Sequence, residues 1–71
     1  MFFNSNLAYL TRNSNVNQNQ LSVKLNVSRQ SIQGYIKQGK QPKYELLIAI
    51  CKIYNVSIDD MLTKDLSSSE K

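Results

Sequence analysis

The 71-residue chain has no histidine and no tryptophan, one cysteine, one proline and two glycines. It also has no aspartate or glutamate before Glu45. Each shortage closes off a class of function. The single thiol, Cys51, cannot form an internal disulfide. Without histidine or a second cysteine the usual zinc ligand sets are missing. The five acids lie at or beyond Glu45 with no matching pocket residues, so the chain does not read as an enzyme. No apolar run approaches the roughly 20 residues of a membrane span. No basic segment followed by a long apolar one marks a signal peptide. The pattern shows no glycine-rich phosphate loop, no internal repeat and no strand signal. A reduced, cytoplasmic protein without a cofactor is expected.

What is present is charge of one sign, unevenly placed. Residues 1–44 carry Arg12, Lys24, Arg29, Lys37, Lys40 and Lys43, a local charge of +6, whereas residues 45–71 sum to −2. A basic half beside a slightly acidic half suggests one surface that faces a polyanion. With 41% hydrophobic residues the chain should fold. A core of this size supplies only about 3–5 kcal/mol, so self-association or a bound partner is expected to help.

Apolar spacing predicts five helices. Asn4 or Ser5 caps the first, which buries Phe3, Leu7 and Leu10, and "RNSN" (12–15) is a polar turn. Asn17 and Gln20 have the spacing of a reciprocal cap for the second helix. That helix buries Leu21 and Leu25 and turns small Ser22 inward. Asn26 suits a left-handed stop, Val27 is a buried plug, and Ser28 caps the third helix. The third helix turns Ile32 and Tyr35 or Ile36 inward, exposes Arg29, Gln30, Gln33, Gly34 and Lys37, and ends near Gly39. A fourth helix, Lys43 to about Tyr54, has two apolar stripes: Tyr44, Leu47, Ile48, Cys51 and Tyr54, then Leu46, Ile50 and Ile53. Cys51 reads as a small core residue. Asn55 and Val56 stop the fourth helix. Ser57 and Asp60 open a fifth that buries Ile58 and Leu62. The domain is expected to span 1–65, with 66–71 a flexible tail or the start of a linker. Phe2, Leu46, Ile53, Met61 and Leu66 stand out as apolar surplus for a partner surface.

Three pieces of this pattern, in order, resemble the lambda-repressor-like (Cro/repressor, XRE-type) helix-turn-helix family. The first is Leu7, Leu10, Thr11, Asn15, Val16, Asn17, Gln18, Leu21 and Ser22. The second is Val27, Ser28, Arg29, Ser31, Ile32 and Tyr35. The third is Pro42, Leu47, Ile50, Cys51, Tyr54, Val56, Ser57, Ile58, Asp59, Met61 and Leu62. Together they cover Phe3 to Leu62. Thr11 stands where the family often has arginine, Ile36 where it often has glutamate, and Asn15 and Asn26 where glycine is common. Gly39 falls one place late.

The resemblance implies an all-α, compact five-helix domain whose second and third helices form the DNA-reading unit. It implies a sequence-specific double-stranded DNA-binding regulator, a small phage or mobile-element repressor acting as a homodimer on a two-fold operator. The DNA-binding residues it implies are Asn17, Gln18, Ser28, Arg29, Gln30, Ser31, Gln33, Gly34, Lys37, Lys40 and Lys43. Gln18 would meet a phosphate, and Arg29 and Gln30 would meet bases. The chemistry agrees: arginine pairs with guanine O6 and N7, and glutamine with adenine N6 and N7. The alternative is an antitoxin-like or adaptor module whose main partner is a protein, held through Leu46, Ile53 and the C-terminal segment.

Overall fold

Five helices appear in the computed structural model, which describes residues 2–67: α1 (Phe3–Asn13), α2 (Gln18–Leu25), α3 (Arg29–Lys37), α4 (Tyr44–Tyr54) and α5 (Ile58–Thr63). There is no strand among the described residues. The end of "SSSEK", beyond Ser67, lies outside them.

Two connectors share one sequence and one solution. Asn26-Val27-Ser28 and Asn55-Val56-Ser57 each join one helix to the next. Both asparagines adopt the left-handed conformation, φ 56° and φ 57°. Their N–H groups donate to Ser22 and Val23 carbonyls in one case and to Cys51 and Lys52 in the other. Val27 N–H then returns to Ser22 O at 3.0 Å and Val56 N–H to Cys51 O at 2.9 Å, which satisfies the orphan carbonyls of each helix end. Ser28 and Ser57 accept the N–H of Ser31 and Asp60 and so cap α3 and α5. Asn15, by contrast, is not among the residues with positive φ, so it does not take the backbone role of the family's glycine.

Each helix contributes to one core: Phe3 and Leu7, Leu21, Ile32, Ile50 and Cys51, and Met61. Helix α1 packs on α3 and α5, α2 on α3 and α4, and α4 on α5. Burying side chains of this size contributes about 1.5–3 kcal/mol each. Polar ties complete the closure. Asn6 is fully buried; its Nδ2 donates to Met61 O (2.8 Å) and Lys64 O (2.6 Å), and its Oδ1 accepts Leu66 N–H (2.9 Å). The Tyr54 hydroxyl donates to Val16 O at 2.8 Å, and burial pushes its phenol up to about 12. Burial also raises the Cys51 thiol, consistent with a core role.

Several expectations are corrected. Neither Asn4 nor Ser5 caps α1: Phe2 stands at the cap without a side-chain bond, and both polar residues lie within the first turns. Arg12 and Asn13 belong to α1 instead of the polar turn, because the helix continues until Ser14 N–H closes on Leu10 O at 3.1 Å. Tyr44, assigned to a buried stripe, is 68% exposed at the open N-terminus of α4. Met61, assigned to a partner surface, is fully buried and is the core residue of α5, while Ile58 and Leu62 flank it half-buried. Leu46 and Ile53 also pack at the core margin. Gly34, expected on the exposed face of α3, is buried.

Candidate nucleic-acid interface

The N-terminus of α2 is built by a reciprocal cap. Asn17 Oδ1 accepts Gln20 N–H at 2.8 Å, and Gln20 Oε1 accepts Asn17 N–H at 3.0 Å. Asn17 therefore has a structural duty at this helix end. The first-turn N–H groups of Gln18 and Asn19 keep no partner among the described residues. Such groups face anions favourably, with the helix dipole behind them.

Helix α3 crosses beside this end. At its start the Ser28 and Ser31 hydroxyls lie 3.1 Å apart, and Ser28 Oγ accepts Ser31 N–H at 3.1 Å. Arg29 and Gln30 follow on the exposed first turn, Gln33 is half-buried, and Lys37 is exposed in the last turn. Fully buried Ile32 fixes the rotation that turns these residues outward.

Between the two helices and the end of α1 lies an open hollow of about 470 Å³, lined by Thr11, Arg12, Asn17, Gln18, Asn19, Arg29 and Gln33. It contains two guanidinium groups and no carboxylate. The structure thus gathers Asn17, Gln18, Arg29 and Gln33 around one site. Arg12 and Asn19 join them, although sequence reasoning left both outside the site. The signal for Arg12 was its place in the basic, acid-free half; what hid it was the assignment of residues 12–15 to a turn.

The lysines are spread more widely. Lys37 and Lys40 lie at the far end of α3, both exposed. Lys43 is not part of the hollow; it lines a separate groove with Lys24, Leu25, Tyr35, Glu45, Leu46 and Ala49. Gly34 is buried, and a Cβ built on it would lie 3.2 Å from Lys40 Cδ and 3.9 Å from Gln38 Oε1.

A family model described as helix-turn-helix matches residues 8–61. The chain belongs to the lambda-repressor-like helix-turn-helix family. The match runs from the second turn of α1 through Met61 of α5 and includes α2, its three-residue connector and α3. This is a family of DNA-binding transcription regulators of the XRE type. No curated protein and no solved structure matches the chain significantly. No helix among the described residues is long and apolar enough to cross a membrane. Nor do the described residues contain a group of three or more His, Cys, Asp or Glu side chains that could hold a metal.

Proposed function

We propose that this helix-turn-helix protein is a sequence-specific repressor of the small phage or mobile-element type. It binds double-stranded DNA as a homodimer on a two-fold operator, with α3 in the major groove, and occupies the site against polymerase. The observation that carries the reading is the acid-free hollow in which the free N–H groups of α2, Gln18, Arg12 and Arg29 face one region. Phosphate belongs there, while the first turn of α3 offers Arg29 and Gln30 to base edges.

In this reading Gln18 and Arg12 hold the backbone. Ser28 and Ser31 set the start of α3, and Gln33 lies along its groove-facing side. Lys37, Lys40 and Lys43 approach flanking phosphates. Residues 1–65 form the binding domain. A dimer would place two copies of α3 about one helical turn, roughly 34 Å, apart.

The test is selection of bound duplexes from genomic fragments, followed by titration against scrambled controls. A repeated half-site motif and a footprint with two-fold symmetry are the expected results. Indifference to sequence together with a flat salt response would refute the reading and favour the antitoxin-like or adaptor alternative. That alternative gains little from Leu46 and Ile53, which pack against the core.

A further inference from the structure

Gly34 sits in the middle of a nine-residue helix, where glycine is the least favourable residue after proline. It has no positive φ to justify it. What it has is a neighbour. Lys40 Cδ lies 3.2 Å and Lys40 Cε 3.9 Å from the place a Cβ would occupy. The lysine stem lies across α3 in the space that an alanine would invade.

The loop holds Lys40 there. Gly39 turns the chain back with φ +70°. Lys40 N–H donates to Gly34 O at 3.3 Å. From α1, Asn4 Nδ2 donates to Lys40 O at 3.1 Å and also to Tyr35 O. Position 34 lies one turn after Gln30 and three residues before Lys37, on their shared stripe of α3. The Lys40 stem therefore lies on the stripe of α3 that Gln30 and Lys37 share.

We infer that Lys40 is a specificity-determining residue, supplying at position 34 the side chain that the recognition helix itself lacks. Its ammonium donates to guanine O6 or N7 in the major groove, the acceptors that suit a lysine. Asn4 is a positioning residue for this contact, since it ties the Lys40 carbonyl to α1. The inference rests on the DNA-reading function proposed above and assigns Lys40 a base where that proposal gave it a flanking phosphate. A surface lysine that merely lays its stem on apolar neighbours would carry no base preference, and this difference is what an experiment can read.

The operator selected by the wild-type protein is substituted at every base pair and titrated with four proteins: wild type, Lys40→Met, Gly34→Ala and Asn4→Ala. Lys40→Met keeps a stem to cover Gly34, so it should fold normally, and circular dichroism melts check each variant. The expected result is loss, by about tenfold, of preference for guanine at one position per half-site in Lys40→Met. Gly34→Ala, which crowds the stem by a few tenths of an ångström, should mildly weaken preference at that same position, although alanine favours the helix. Asn4→Ala should do so more mildly. A uniform loss of affinity with every base preference intact in Lys40→Met overturns the inference and leaves the DNA-reading function standing. If the wild-type protein selects no duplex, both fall together.

Discussion

Replacing Asn6 tests how the ends of the chain are joined. Its side chain makes three hydrogen bonds, to Met61 O, Lys64 O and Leu66 N–H, from a fully buried position. Each is worth about 1 kcal/mol net. Asn6→Ala should therefore cost about 3 kcal/mol, and more if the Met61 carbonyl and Leu66 N–H find no water. A domain of this length has roughly 4–10 kcal/mol in total, so the variant should lie near the edge of stability, with its melting midpoint lowered by about 10–20 °C. Asn6→Asp is the sharper probe. It keeps the acceptor for Leu66 but turns a second oxygen toward two carbonyls. Only the protonated acid can donate there, so its folded pKa must rise above the usual carboxylate value near 3.9. The folded state then binds more protons than the unfolded state, and stability falls as pH rises from about 4 up to the folded pKa. Urea titrations between pH 3 and pH 8 on wild type, Asn6→Ala and Asn6→Asp measure this. A loss below about 1 kcal/mol for Asn6→Ala, or no pH slope specific to Asn6→Asp, would refute the assignment of these bonds as the closure between α1 and α5.

Three further outcomes can be checked directly. Arg29→Ala should weaken the cognate operator by about 1–3 kcal/mol per half-site and relax preference at one base position; equal losses on all sequences for Arg29→Ala and Arg29→Lys would show a phosphate contact only. Affinity of a dimer neutralising about six to eight phosphates should fall with a log–log salt slope near −5 to −7. Arg12→Ala should flatten that slope, whereas Gln18→Ala, which removes no charge, should lower affinity at unchanged slope. Tyr54→Phe removes the hydroxyl bond to Val16 and should cost about 1 kcal/mol at neutral pH. Because the folded phenol is raised to about 12 from 10, wild-type stability should fall as pH rises through that window. The Phe variant should lack this part of the decline, and parallel alkaline unfolding curves for the two proteins would contradict it.

The features that could be read from the sequence are those whose two partners lie within a few residues. The Asn17–Gln20 cap, the left-handed stops at Asn26 and Asn55, and the caps at Ser28 and Ser57 each close over three to five positions. The features that could not be read are closed through space. Asn6 meets partners 55 to 60 residues away, and Asn4 meets partners 31 and 36 away. Local pattern reading offered Asn4 only as a cap and gave Asn6 no role. Gly34 seemed exposed because its neighbours, Gln38 and Lys40, lie beyond the end of α3. In α5, six residues make fewer than two turns, so periodicity could not separate Ile58 and Leu62 from Met61 as the inner residue.

The polar site sits on a frame held by contacts within the chain. Helix α3 is fixed at its start by the Asn26 stop and the Ser28 cap, at its middle by Ile32 against Leu21 in the shared core, and at its end by Asn4 on the Tyr35 carbonyl. The spacing between the start of α2 and the first turn of α3 follows from those contacts. Ordering a flexible side chain on binding costs about 0.5–1.5 kcal/mol, so a frame held in this way leaves only the outer side chains to be ordered. Exposed Lys37 would bear that cost in full. Lys40, whose stem already rests on Gly34, would bear less of it. Lys37 would therefore favour any duplex through charge, while the side chains that distinguish one duplex from another would be those the fold has already put in place.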